Sequence, residues 1–114
     1  MPYLKIQTNK SLDDTAQNKL LKKASSAVSA QLGKPIDYVM VSIDPPRPMM
    51  FAGSDEPTAY LELKSIGLSS EHTTDFSAAL CKLVAEELSI NKNRVYIEFS
   101  NSERSMWGWN GATF

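Results

Sequence analysis

Several features that would place this chain in a specialised class of protein are absent. Its one cysteine, Cys81, excludes an internal disulfide framework and a zinc site built on paired cysteines. Basic residues form no run longer than Lys22-Lys23, and twelve basic residues stand against thirteen acidic ones. This balance argues against nucleic acid or an anionic membrane surface as the main partner.

Long hydrophobic runs are absent as well. No stretch of 18 apolar residues occurs, and the first residues lack the apolar core of a signal peptide. We therefore expect a cytoplasmic protein with no membrane partner, while secretion without a leader stays open. The 114 residues, 42% of them hydrophobic and 22% charged, suffice for one domain over residues 1–114.

The first half of the chain is typical of a strand, a helix and a second strand. Tyr3 to Thr8 alternates as a strand does, and Ser11 to Asp14 fits a helix start with a capping hydroxyl and acids in the first turn. Gly33 and Pro35 end that helix, and Val39 to Ile43 is rich in β-branched residues. A rigid proline-rich connection follows, and Met49 to Phe51 is predicted as a short strand.

The second half repeats this pattern 56 residues later. A strand is predicted from Thr58 to Ser65, and a polar segment then leads into a second helix. The apolar face of that helix, moved back by 56 positions, coincides with the face of the first helix. The paired positions are Phe76, Leu80, Leu83, Val84 and Leu88 with Leu20, Ala24, Ala27, Val28 and Leu32. Cys81 falls in the apolar register of the second helix, which predicts a buried, inert thiol.

Two β-α-β units of equal length predict an α+β fold, an α/β sandwich. It has one four-stranded sheet with both helices on one face. The other face would then lack a cover while presenting apolar residues such as Met40 and Tyr96. Exposed apolar surface of this kind, and possible edge strands near Met49–Phe51 and Trp107–Trp109, indicate an oligomer of unspecified order.

The N-terminus offers a candidate catalytic group. Removal of Met1, which a small second residue favours, would leave Pro2 with a free secondary amine. An α-amino group titrates near ~7.7–8.0, and burial or a nearby cation lowers that pKa. The amine would then act as a base towards a carbon acid. A retained methionine would turn the amine into an amide, and proline at position two also simply starts many edge strands.

A set of short motifs, in order and spacing, resembles macrophage migration inhibitory factor and its relatives in the tautomerase superfamily. The resemblance runs from end to end. Its motifs are Met1-Pro2, Gly33-Lys34-Pro35, Phe51-Ala52-Gly53-Ser54 with Glu56-Pro57, Ser65-Ile66-Gly67, Arg94-Val95-Tyr96-Ile97 and Gly108-Trp109-Asn110-Gly111-Ala112-Thr113-Phe114.

The resemblance implies a homotrimer whose three sheets line a central channel, with three active sites at subunit interfaces and no cofactor. It implies Pro2 as the catalytic base and Lys34 as the group that binds the substrate carboxylate. The backbone at Ser65-Ile66 would contribute a hydrogen bond, and Tyr96 would come from the neighbouring subunit. The implied apolar wall consists of Trp107, Trp109 and Phe114.

Each of these residues has a structural alternative. Lys34 follows a helix end and could complement the helix dipole, Tyr96 could belong to the core, and the two tryptophans could pack at an interface. The chain also departs from the animal protein at two places. Thr58 to Leu61 stands where that protein has Cys-x-x-Cys, so nothing supports a redox role. Glu98 replaces an asparagine, and a carboxylate facing the pocket would oppose an anionic substrate and raise the pKa of Pro2.

Two functions from different classes follow. The first is keto–enol tautomerisation of an aromatic α-keto acid such as phenylpyruvate. The second is a cytokine-like or intracellular binding protein, in which the trimer engages a receptor or another partner and the pocket is weak or vestigial.

Overall fold

The computed structural model describes residues 1–114 and contains two helices and six strands. In chain order they are β1 (Tyr3–Thr8), α1 (Asp14–Leu32), β2 (Met40–Ile43), β3 (Ala59–Ile66), α2 (Thr73–Leu88), β4 (Val95–Ser102), β5 (Gly108–Trp109) and β6 (Ala112–Thr113). Short 3₁₀ turns lie at Ile36–Tyr38, Lys92–Arg94 and Arg104–Met106. Neither α1 nor α2 combines the length and the hydrophobicity that a membrane-spanning helix needs.

The main sheet has the order β2-β1-β3-β4. Strands β1 and β2 are parallel, as are β3 and β4, while β1 and β3 are antiparallel, with Tyr3 opposite Lys64. Each parallel pair is joined through a helix, as a β-α-β unit requires. The two predicted units are therefore confirmed, and they meet along β1 and β3.

Both helices cover the same sheet face, as the repeat predicted. On β1 the side chains alternate between buried and half-buried, and Leu4 and Ile6 point to the helix side. The core combines these with the matching helix positions, including Leu20 with Phe76 and Val28 with Val84. Cys81 packs against this core and is half-buried, so the prediction of a buried thiol was too strong.

The N-cap of the first helix lies two residues after the predicted capping hydroxyl, Ser11. Asp13, and not Ser11, is the N-cap, and its carboxylate accepts a hydrogen bond from the backbone N–H of Ala16. Asp14 supplies an acid in the first turn. At the other end Gly33 has φ +62°, the left-handed conformation that terminates helices, so the predicted stop is confirmed.

Residues 49–51 form no strand of the main sheet, contrary to the prediction. Phe51 instead pairs with Ser54 in a tight turn, through two backbone hydrogen bonds of 2.9 and 3.0 Å. Ala52 and Gly53 within the turn both have positive φ, which reverses the chain and prevents an extended run. The segment is therefore a loop that its own backbone hydrogen bonds between Phe51 and Ser54 hold together.

The helix-free face of the sheet is more polar than expected. Met40 and Tyr96 are 66% and 65% exposed, as the prediction of apolar surface required. Between them, however, β1 and β3 present Lys5, Gln7, Glu62 and Lys64, along with other polar side chains, because these positions alternate with the core residues. The apolar surface is thus confined to the two sides of this face.

Candidate functional site

Pro2 lies at the start of β1 and is fully buried. Its carbonyl oxygen accepts a hydrogen bond of 3.0 Å from the backbone N–H of Met40, which continues the β1–β2 ladder. On the other side, the register of β1 and β3 places Pro2 level with Ser65, one step beyond the pair Tyr3 and Lys64. Two neighbouring strands therefore fix the backbone at this position.

The N-terminal amine occupies a defined place beside this strand. The Met1 amine donates a hydrogen bond of 3.1 Å to the backbone carbonyl of Tyr38. Partial burial lowers the pKa of this amine below its ordinary value, and the positive charge of Lys34 lowers it further. Both effects disfavour the protonated amine, so the surroundings favour a terminal amine that can accept a proton.

Lys34 is the first residue after the left-handed turn at Gly33. Its backbone is held on both sides: its N–H donates to the Ser29 carbonyl at 3.1 Å, and its carbonyl accepts from the Ser29 hydroxyl at 2.6 Å. All five ion pairs of the chain involve other residues. A fixed backbone with an unpaired, half-buried cation suits a binding role for an anion.

Two aromatic side chains gather around Tyr38, whose backbone carbonyl accepts the hydrogen bond from the Met1 amine. Tyr38 meets Trp109 edge-on with ring centroids 5.6 Å apart, and it meets Phe114 edge-on at 6.0 Å. Trp109 and Phe114 are stacked at 5.7 Å. The predicted wall residues Trp109 and Phe114 therefore come together, and Tyr38 joins them.

Tyr38 was not predicted as a site residue. The only available signal was its place four residues after Lys34, within the 3₁₀ turn Ile36–Tyr38. Trp107 joins this group through its backbone: its carbonyl accepts a hydrogen bond of 3.2 Å from the N–H of Phe114. This contact is independent of the tryptophan ring.

Ser65 and Ile66 end strand β3 beside the start of β1. Both are buried, and the Ser65 hydroxyl donates to the Ile66 carbonyl at 3.2 Å. Gly67 follows with φ +71° and turns the chain away. The strand register thus places Ser65, in the motif Ser65-Ile66-Gly67, beside Pro2.

Tyr96 and Glu98 lie elsewhere in the same chain. They stand on β4, two strands from β1, and the register puts Tyr96 five residues from the level of Pro2, about 16 Å along the strands. The Glu98 carboxylate accepts a hydrogen bond from the Tyr60 hydroxyl, and this bond raises the pKa of Tyr60 well above its ordinary value. Neither residue reaches the Pro2 of its own chain.

The chain matches known proteins along its full length. A family model described as macrophage migration inhibitory factor (MIF) covers residues 1–114. The macrophage migration inhibitory factor homolog of Wuchereria bancrofti is 44% identical, across 100% of this chain and 99% of that relative. The factor of Mus musculus is 31% identical with the same coverage. The crystal structure of the homologue from Prochlorococcus marinus is 41% identical with a TM-score of 0.91, covering 98% of both chains. As its motifs predicted, the chain belongs to the macrophage migration inhibitory factor family.

Proposed function

We propose that this protein is a keto–enol tautomerase that acts on phenylpyruvate-like aromatic α-keto acids, with the amine of Pro2 as general base. The observation that carries the proposal is the position of the N-terminus: the Met1 amine, directly before the buried Pro2, donates to the carbonyl of Tyr38, whose ring packs against Trp109 and Phe114. Partial burial and the charge of Lys34 lower the pKa of that Met1 amine, and we extend this direction to the Pro2 amine that removal of Met1 would create. Family membership supports a tautomerase-superfamily role, and thus an isomerase, or a cytokine-like role.

The chemistry assigns one task to each part of the site. After loss of Met1, the neutral Pro2 amine takes a proton from the carbon next to the keto group. The electron pair left behind forms the enol double bond as the keto oxygen gains charge, and the protonated Pro2 then returns the proton to that oxygen and is neutral again. Lys34 holds the substrate carboxylate or stabilises the developing oxyanion. A backbone group at Ser65-Ile66 adds a hydrogen bond.

The aromatic cluster accounts for the substrate class. Stacked and edge-on rings favour an aromatic ligand over an aliphatic one, because ring faces and edges attract each other electrostatically. Trp109 and Phe114 would flank the substrate ring, with Trp107 on the same apolar wall. An aromatic ring, a carboxylate and an acidic carbon in one small molecule match the three features of the site.

A second subunit completes this proposed site. We place Tyr96 of a neighbouring protomer at the pocket, within a homotrimer. The support is that Tyr96 is 65% exposed and far from its own Pro2, while strands β2 and β4 form open edges of the sheet. Glu98 points to the same side of β4 as Tyr96, because side chains two residues apart share a strand face. It would approach the same pocket.

The cytokine-like role is the alternative. In that case the trimer binds a protein receptor, and the pocket contributes little to function. The two roles differ in one measurable property, the turnover of a keto acid by the purified protein.

Replacement of Pro2 tests the proposed activity. The chain with Met1 removed, as verified by mass spectrometry, should tautomerise phenylpyruvate, and Pro2→Gly should reduce kcat/KM about 10²–10⁴-fold, the usual contribution of a general base. Pro48→Gly, in an exposed loop, serves as the matched control and should retain wild-type kinetics. Absence of turnover in the wild type would reject the enzyme and favour the binding role, whereas equal turnover in Pro2→Gly would reject Pro2 as the general base.

A further inference from the structure

Arg94 holds the loop at residues 51–57 through an unusual number of contacts. Its guanidinium donates to four backbone carbonyls: Nε to Pro57 at 2.9 Å, Nη1 to Phe51 at 3.1 Å, and Nη2 to Ser54 at 3.2 Å and to Glu56 at 3.0 Å. The planar fork of arginine suits such convergent acceptors, whereas the three donors of a lysine radiate from one atom. One side chain thus gathers the carbonyls of the whole loop.

The same guanidinium also lies over an aromatic ring. The Arg94 Cζ atom is 5.4 Å from the centroid of the Phe51 ring, within the range of a cation–π interaction. Phe51 in turn meets Tyr96 edge-on, with ring centroids 4.7 Å apart. Arg94, Phe51 and Tyr96 therefore form a continuous chain of contacts.

Within its own chain, few other contacts restrain the Tyr96 side chain. It is 65% exposed on the helix-free face, and its hydroxyl makes no hydrogen bond within the chain, in contrast to the hydroxyls of Tyr3 and Tyr60. An exposed side chain of this kind exchanges between rotamers unless a neighbour restricts it. The Phe51 ring is that neighbour.

We propose that Arg94 is a positioning residue for the reaction: through Phe51 it holds the Tyr96 ring in the orientation in which it enters the neighbouring subunit's site. This inference rests on the proposed tautomerase function and on the proposed place of Tyr96 in the pocket. A ring that is already oriented loses less freedom when substrate binds, so the effect falls on substrate affinity.

Arg94→Lys tests the proposal, with Phe51→Leu as a second variant that leaves the four carbonyl bonds of Arg94 available. In both, KM for phenylpyruvate should rise about two- to tenfold, as for one lost aromatic contact, while kcat stays near wild type. The double variant should add nothing further, because both changes break the same chain of contacts. Arg47→Lys is the matched control, since the Arg47 side chain is exposed and its one ion pair is with Asp44, at 3.7 Å.

A spectroscopic readout separates this inference from the proposed function. In protein labelled with 3-fluorotyrosine, the ¹⁹F resonance of Tyr96, assigned with Tyr96→Phe, should shift in Arg94→Lys and in Phe51→Leu but remain unchanged in Arg47→Lys. An unchanged Tyr96 resonance overturns the inference, even if the wild type proves inactive. A shifted resonance with unchanged KM in an active enzyme also overturns it, because Tyr96 would then be positioned without serving the reaction.

Discussion

At the scale of single residues, the terminal amine and Lys34 act on each other through charge. Partial burial and then the Lys34 cation lower the pKa of the Met1 amine, which precedes Pro2. In the processed chain the base form is the neutral amine, which predominates above its pKa. Under the proposed function a lowered pKa extends activity to lower pH, and we assign Lys34 two separable roles: binding the substrate anion and keeping the base neutral.

Lys34→Ala should show both roles at once. Loss of a charge-assisted hydrogen bond to the substrate carboxylate costs about 1.5–3 kcal/mol, which raises KM about 10- to 150-fold. Loss of the cation raises the pKa of the amine, so the acidic limb of the kcat/KM profile should move to higher pH. Lys22→Ala, an exposed lysine on α1, is the control. Unchanged KM and an unchanged limb would leave Lys34 as a partner of the helix dipole only.

At the scale of secondary-structure elements, local rules placed the helices and strands well and the caps less well. Apolar spacing predicted the core faces of both helices. A helix that packs on a sheet buries one stripe of apolar residues, and this stripe does not depend on where the helix begins or ends. The N-cap depends on the backbone at one position, and Ser11 and Asp13 are both good capping residues. The structure selects Asp13, whose carboxylate reaches the Ala16 N–H at 2.8 Å.

A pair of substitutions should separate the two candidate caps. Asp13→Ala should lower the free energy of unfolding by about 0.5–2 kcal/mol, because it leaves the Ala16 N–H without its acceptor. Ser11→Ala should change it by less than about 0.5 kcal/mol, as is usual for an exposed surface substitution. Urea unfolding monitored by circular dichroism measures both. Equal losses in the two variants would show that Ser11 also stabilises the helix start.

The candidate site depends on contacts that cross long stretches of sequence, and these could be predicted only in part. The family motifs named Pro2 and Lys34, but the placing of Tyr38 against Trp109 joins residues 71 positions apart (109 − 38). The strand predicted at Met49–Phe51 ends in a turn instead, since apolar composition favours extension whereas positive φ at Ala52 and Gly53 reverses the chain. At such positions tertiary packing, and not the intrinsic propensity of the residues, determines the backbone conformation.

At the scale of the whole molecule, a single chain leaves one face and both edges of its main sheet uncovered. Helices cover one face, and β2 and β4 remain as edges without a further strand. Met40 and Tyr96 project from opposite sides of the uncovered face, so a neighbour would have apolar surface to bury at each side of the sheet. Two different contact surfaces on one chain are what a closed ring of identical subunits needs.

The proposed trimer with shared sites makes a prediction that no site within one chain can satisfy. Pro2→Gly and Tyr96→Ala should each be poorly active alone. When the two are unfolded together and refolded at equal ratio, about a quarter of the interfaces should pair an intact Pro2 from one chain with an intact Tyr96 from the next, if assembly is random. Activity should therefore return in the mixture and stay absent when each variant is refolded separately.

The oligomeric state and the stoichiometry provide the control for this experiment. Light scattering should give three times the mass of the 12.6 kDa chain for the wild type and for both variants. A stable monomer at micromolar concentration would contradict the trimer and the shared site together. A trimer whose mixed form regains no activity would keep the assembly but confine Tyr96 to its own subunit, where about 16 Å along the strands separates it from Pro2.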